Sequence, residues 1–465
     1  MKIIFVYFLL VANGLLAQKI SCDNQSIVEA YQLAISTVDI NTRSGILAAG
    51  GGYGGEWTRD IAINSWNGVS LLRPEVAEKS LWSVTLKDKT IGHQYWDKML
   101  WSIAVLNHYK VTGDLEFLRK AYKYSANTMN QLEDIAFDSD YGLFTGPSVF
   151  NDGIAGYPEP IFEPSNKASN ILKFKNSSKI KCLSTNSVYY GSYQSLIEMG
   201  QILNVNSSVI KDYSEKSKKL KTNILKYFYS EEEHALYYLI DQLGKVHKYQ
   251  EGLGISFATI FGILNKSQAS YVIRNAHVSK YGITSIYPDF PRYSAEKPGR
   301  HNNIIWPMVN GFFAKASIIA GSNTNFDFEL NALTHLVLDE DKGNYNFREI
   351  FNPYTGAPDG GWQCDHQWDS VSIQSWSATA YIDMIYFGLA GMRPENNGIV
   401  FAPYLPENIH YLQLNDVVYR NSTLNITLLG NGNKIKSFML NGRQIDDYKI
   451  DSNIKGENTL IIELE

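Results

Sequence analysis

Cysteine is scarce in this chain: Cys22, Cys182 and Cys364 are the three in 465 residues. So few, so scattered, exclude a disulfide framework and a cysteine zinc site, and leave one bridge, Cys182 with Cys364, as an open question. Positive charge is not in excess either. Lysine and arginine number 42 against 47 aspartates and glutamates, for a formal net charge of -5. That balance carries no electrostatic footprint for nucleic acid. Beyond the first residues no apolar run is long enough to cross a membrane. No His/Cys cluster or calcium-spaced acidic loop is present, so no metal or cofactor is expected. Low-complexity tracts and long linkers are missing too.

What is there is apolar and aromatic. Hydrophobic residues make up 44% and aromatics 13%, with 30 Tyr and 9 Trp. That suffices for one large domain and a small one, and tryptophans suit a cleft that stacks sugar rings. The start, MKIIFVYFLLVANGLLAQ, joins a lysine to an apolar run with a small-residue end. It reads as a signal peptide over residues 1–17, cleaved after Ala17, and predicts a secreted or periplasmic protein. KIS before Cys22 is a poor lipobox, so a lipid anchor at Cys22 is not expected.

From about Ser26 to Met392 apolar residues recur at helical spacing. Two kinds of helix alternate. Runs such as SEKSKKLKTNILKYF are amphipathic and lysine-rich, and read as outer helices. Runs such as WSATAYIDMIYFGLAG are apolar nearly all round, and read as inner ones. The alternation predicts an all-α barrel of helical hairpins over residues 18–392. After GMRPENNG short β-like runs take over, predicting a small antiparallel β-domain over residues 393–465.

Five stretches carry candidate chemistry. In GGYGGEWTRDIAINSW a glycine-rich loop feeds Trp57, Arg59 and Asp60 at a helix start. Asp60 serves there either as a helix-end charge or, with the Arg59 fork and the Trp57 ring, as a sugar clamp. GHQYWDKMLW sets Trp96 and Asp97 before another apolar helix. In SVFNDGIAGYP, apolar and small neighbours around Asp152 predict a desolvated carboxyl with a raised pKa, as a general acid needs. RHNNIIWPMVNGFF offers His301 and Trp306. REIFNPYTGAPDGGW has one carboxylate, Glu349, at the lip of a turn-rich loop, with Trp362, Gln374 and Trp376 following. Asn186, in STNSVYY, completes the candidate sugar-binding set. One acid and one base among loop tryptophans match the needs of glycoside cleavage.

These motifs together resemble the six-hairpin (α/α)6-barrel glycoside hydrolases, over roughly residues 25–392. Within them the chain is most similar to trehalase, processing α-glucosidase and glycogen-debranching amylo-α-1,6-glucosidase types. WTRD resembles their sugar-holding signature, HNNIIWP their His-Asn and Trp-Pro motif, and REIFNPYTGAPDG with SIQSWSATA their Glu loop and Trp-Ser helix. The resemblance implies Glu349 as catalytic base and Asp152 as general acid. It further implies inversion at an α-linked, glucoside-like substrate, with an oligosaccharide or polysaccharide as the partner. Three other classes compete, one of them a phosphorylase, which phosphate-dependent turnover would reveal. A polysaccharide lyase would survive loss of Glu349 and make an unsaturated product; a glycan-binding protein on the same scaffold would release no sugar. Oligomeric state is not readable from the sequence.

Overall fold

The computed structural model describes residues 18–465 apart from 54 and 56. The expected signal peptide over 1–17 lies outside the described residues. Helices form where the apolar periodicity placed them. They are α1 (Gln25–Asn41), α2 (Thr58–Asn64), α3 (Ser70–Leu72), α4 (Pro74–Ser83), α5 (Leu100–Thr112), α6 (Leu115–Ala136) and α7 (Leu183–Ile202). Then come α8 (Ser207–Phe228), α9 (Gly252–Ile260), α10 (Lys266–Arg274), α11 (Pro307–Ala320), α12 (Asn323–Leu338) and α13 (Ser375–Asp383). Their ends use the expected chemistry. Asp114 Oδ1 accepts the Phe117 N–H at 2.9 Å, and Asn265 with Gln268 forms a reciprocal cap.

Burial follows the two helix types. On α8 the buried residues are Tyr213, Ser217, Leu220, Ile224 and Phe228, a single stripe. Every residue of α13 is buried, and most of those of α7. The buried helices pack on one another in sequence: α2 on α5, α5 on α7, α7 on α9, α9 on α11, α11 on α13, and α13 back on α2. The amphipathic ones lie against them: α4 on α2 and α5, α6 on α5 and α7, α8 on α7, α10 on α9 and α11, α12 on α11, α1 on α13. Among the described residues no helix is long and apolar enough to cross a membrane.

The chain beyond α13 forms sheets, in one respect different from expectation. One sheet orders Lys19–Cys22, Tyr411–Tyr419, Ser422–Leu429, Gly456–Leu464, Ile435–Leu440 and Arg443–Gln444. Ser422–Leu429 and Gly456–Leu464 run parallel, so the sheet is mixed rather than antiparallel. Parallel neighbours need a crossover. The chain supplies it through Ile435–Leu440 and then Lys449–Asp451, which joins a second sheet with Gly398–Phe401 and Met392–Glu395. The edge strand Lys19–Cys22 pairs with Tyr411–Tyr419 and ties the start of the described chain to this region. All three cysteines are free thiols, with Cys182 buried, so Cys182 and Cys364 are not bridged.

Candidate active site

Two distant loops are joined before any site residue is placed. The Gly51 N–H donates to the carbonyls of Ser372 and Ile373, and the Ser375 N–H donates to the Ala49 carbonyl at 2.9 Å. Gly50 bridges Gln374. A Cβ on Gly50 would stand 2.0 Å from Gln374 Oε1 and would push that side chain out of its place. The docking carries Tyr53 across to the loop that bears Glu349. Three buried helices begin at the same place: Trp57, Trp306 and Gln374 are the residues just before α2, α11 and α13. Their electropositive ends face the carboxylates described next.

A cavity of about 380 Å³ opens here. Of the residues singled out from the sequence, Trp57, Arg59, Asp60, Asp152, His301, Trp306, Glu349, Gln374 and Trp376 line it. Asp152 and Glu349 thus share one cavity, held differently. Glu349 is buried, its side chain 3% exposed. The Tyr53 hydroxyl donates to its Oε1, and the Arg300 guanidinium donates to its Oε2 at 2.7 Å. Burial, reinforced by Glu349, pushes the Tyr53 hydroxyl well above its usual pKa, so it stays a donor. Arg300 spends its other terminal nitrogen on the Gly360 carbonyl, at 2.9 Å.

Asp152 is the more open of the two, its side chain 25% exposed. Burial opposes its ionisation. The Arg59 guanidinium 3.1 Å away nevertheless holds its pKa below the ordinary aspartate value, with help from Arg300. The raised pKa expected from its apolar neighbours is therefore not found in the free protein: sequence neighbours gave no sign of Arg59, which arrives from another element. Asp152 follows Phe150, a bulky residue at φ +58° whose ring is locked against His301, Trp306 and Trp376. A Cβ on Gly153 would meet His301 Cδ2 at 2.4 Å, so the loop lies hard against that ring.

Arg59 serves three carboxylates. Besides Asp152 it stands 3.5 Å from both Asp60 and Asp97, and it donates to Gln94 Oε1 at 2.6 Å. Burial pushes Asp60 up to about 7 against the pull of Arg59, and Asp97 up to about 6. His301 is neutral. Burial pushes its pKa down to about 3, and its Nδ1 bonds to Asn151 Oδ1 at 3.1 Å. Asn151 gives its own amide to Ser148, so His301 Nδ1 is the donor and Nε2, 3.8 Å from Asp152, is the free lone pair. Among the described residues Asp60 Oδ2, Gln374 Oε1 and Trp376 Nε1 are buried without a hydrogen-bond partner. Orphaned polar atoms in a cavity wall suit a ligand rich in hydroxyls.

Four of the expected residues do not line the cavity. Asp97 lies beneath, reaching it through Arg59. Trp96 is buried at the edge of Tyr95. Asn186 spends its amide on the backbone of Phe144 and Cys182. Trp362 packs with the apolar cluster around Tyr293, because side chains alternate along its strand and Gln363 takes the inward position. In their place come Tyr53, Arg300, Trp368, Asp369 and Gln363. Tyr53 and Arg300 were within reach of the sequence, in GGYGG and just before His301; no local signal marks Trp368.

Several solved structures share the fold. A sialidase matches 92% of this chain with 40% of its own, at 15% identity and TM-score 0.70. A GH78 family rhamnosidase of Bacillus sp. GL1 matches 97% with 44% of its own, at 12% identity and TM-score 0.65. This chain therefore spans less than half the length of either. A GH63 mannosylglycerate hydrolase from Thermus thermophilus, solved with Tris and D-glycerate, matches 77% with 100% of its own, at 16% identity and TM-score 0.60. No curated protein matches the chain in sequence. Residues 392–445 match the C-terminal domain of glycosyl hydrolase family 65. Residues 73–377, more than half of the chain and the stretch that holds Asp152, Arg300 and Glu349, match the mannosylglycerate hydrolase MGH1-like glycoside hydrolase domain, and the protein belongs to that family.

Proposed function

We propose that the chain is an inverting glycoside hydrolase acting on an α-linked, glucoside-like substrate, with Asp152 as general acid and Glu349 as general base. One observation carries the reading: two carboxyls, each held by its own arginine, face one cavity walled by tryptophans and orphaned polar atoms. The helix contacts that return from α13 to α2 support an (α/α)6 toroid with this cavity at the helix N-termini. Glu349 suits the base. Tyr53 and Arg300 fix both of its oxygens, so the carboxylate is oriented before a water reaches it.

Asp152 needs a proton that Arg59 discourages in the free protein. Substrate covers the exposed quarter of its side chain, and the lost hydration favours the neutral acid. The leaving oxygen takes that proton while water, deprotonated by Glu349, attacks the anomeric carbon from the other side. A tyrosine-based elimination is disfavoured, since Tyr53 is held protonated. The cavity volume suits a short saccharide, as does the likeness to an enzyme named for mannosylglycerate. The apolar first 17 residues support action outside the cytoplasm.

The test separates the two roles. On an α-linked disaccharide, Asp152→Asn and Glu349→Gln should each lose roughly 10²–10⁴-fold in kcat. On the matching glycosyl fluoride, whose leaving group needs no proton, Asp152→Asn should recover most of its rate and Glu349→Gln should not. Equal losses for Asp152→Asn on both substrates would sink the acid assignment.

A further inference from the structure

The loop that carries Asp152 also carries groups that orient its neighbour His301, an inference that rests on the acid assignment above. A chain of buried polar groups runs inward from the cavity. His301 Nδ1 meets Asn151 Oδ1 at 3.1 Å, and Asn151 Nδ2 meets Ser148 Oγ at 2.8 Å. Ser148 Oγ meets the Tyr238 hydroxyl at 3.1 Å, and that hydroxyl meets the Gly156 carbonyl at 2.8 Å. Asn151, Ser148 and Tyr238 are fully buried and His301 nearly so. The last member decides the direction of all the others. A backbone carbonyl only accepts, so Tyr238 spends its one proton there. Ser148 then donates to Tyr238, Asn151 to Ser148, and His301 Nδ1 to Asn151. The His301 tautomer is thereby set from the far end of the chain. The ring cannot turn either. It stacks on Trp306 at 5.0 Å and packs against Phe150. Burial pushes Glu251, beside Ser148, up to about 8, and raises Tyr157, Tyr238 and Cys182 well above their usual values, so the groups around the chain keep their protons at neutral pH.

At the cavity end Nε2 is left with a lone pair, 3.8 Å from Asp152 Oδ1. Arg59 donates to the other oxygen, Oδ2, at 3.1 Å. Oδ2 therefore faces a fixed donor and Oδ1 a fixed acceptor. Ionised Asp152 suits Arg59, but at Oδ1 it sets lone pair against lone pair, too far apart for a hydrogen bond. A proton on Oδ1 turns that contact into an O–H···N bond, which favours the neutral acid. A proton on Oδ2 would point at the guanidinium.

We propose that Asn151, held by Ser148, is a positioning residue that locks the His301 lone pair toward Asp152, and that this lone pair places the acid's proton on Oδ1 and holds it there until the glycosidic oxygen takes it. The proton enters from solvent at the open quarter of Asp152, and His301 stays neutral throughout. As the glycosidic C–O bond breaks, its oxygen becomes more basic than the imidazole. The Oδ1 hydroxyl turns to it and the proton crosses, leaving Asp152 ionised and paired with Arg59.

Asn151→Ala and Ser148→Ala, the second one step further from the ring, remove the lock at two depths. Long-range proton–nitrogen NMR, with His301→Gln to assign the signal, should show the wild-type ring protonated at Nδ1 alone and both variants as mixed tautomers. On an α-linked disaccharide both variants should lose roughly tenfold in kcat, for one hydrogen bond to the neutral acid. The alkaline limb of kcat should move down by about one pH unit. Asp152 also faces Arg59, Arg300, Asp60 and Asp97, and His301 faces Arg59 and Arg300, in wild type and variant alike, so the shift between the two is the quantity read. On the matching glycosyl fluoride, which needs no proton, both variants should keep the wild-type rate; a merely loosened loop would lower both rates. A wild type protonated at Nε2, an unmoved alkaline limb, or equal losses on the two substrates overturns the inference and leaves the acid and base in place. A wild type that hydrolyses neither substrate removes the hydrolase reading and this inference with it.

Discussion

Arg59 and Arg300 each hold one of the two central carboxyls, but in different company. Arg300 has one carboxylate, Glu349, with Tyr53 closing the other side. Arg59 has three, Asp60, Asp97 and Asp152, and among the described residues no second cation stands within ion-pair distance of them, the nearby His301 being neutral. One guanidinium cannot neutralise three carboxylates. Burial therefore raises Asp60 and Asp97, to about 7 and about 6, while Asp152 takes the strongest share of the arginine. The Glu349 side is a balanced, fixed pair, as a base requires. The Asp152 side is a partly open cluster in which carboxyls outnumber the cation, so covering it with substrate favours a proton there.

The largest effect should come from the balanced side. Glu349→Gln should lower kcat by roughly 10²–10⁴-fold with the circular dichroism spectrum unchanged. A variant that keeps more than about a tenth of the wild-type rate would take the base away from Glu349. Arg59→Lys should come next and exceed Arg300→Lys. Lysine keeps the charge but not the fork that reaches Asp152, Asp97 and Gln94 at once. Thermal denaturation and substrate affinity of the two variants, measured side by side, check the order. If Arg300→Lys is the more damaging, the contrast drawn between the two sides is wrong.

A smaller effect concerns pH. A buried carboxyl with a raised folded-state pKa keeps its proton where the unfolded chain has lost it. Its contribution to stability is full below the unfolded value near 4, and is lost as pH rises through the folded value, to about 6 for Asp97 and about 7 for Asp60. Asp97→Asn carries no such proton, so its melting temperature should fall less between pH 4.5 and 7.5 than that of the wild type. The same variant gives Asp152 more of Arg59, and the alkaline limb of kcat/KM should move to lower pH. Tyr53→Phe should have the mildest consequence, roughly tenfold in kcat, for loss of one charge-assisted hydrogen bond to Glu349.

Much of this was readable in the sequence where the signal was local. Helical spacing located the helices, and WTRD, NDG, RHNN and REIF marked the loops that meet at the cavity. What escaped was set by long-range packing. Tyr53 matters because Gly50 and Gly51 dock on residues 372–374, a contact no window of sequence contains. The lowered pKa of Asp152 comes from Arg59, 93 positions away, whereas its immediate neighbours pointed the opposite way. Trp96 and Trp362 looked like cavity tryptophans because a tryptophan before a buried helix or strand reads alike whether it faces the core or the cleft. The parallel strand pair was equally hidden, since alternation reports which face a strand buries and not its neighbour.

The stereochemistry of the first product tests the central claim most directly. Proton NMR of the wild-type protein acting on an α-linked disaccharide should show the β-anomer of the released sugar appearing first and mutarotating later, as follows when Glu349 directs a water to the face opposite the bond that Asp152 protonates. An α-anomer appearing first, or no release from any α-linked substrate, would contradict it.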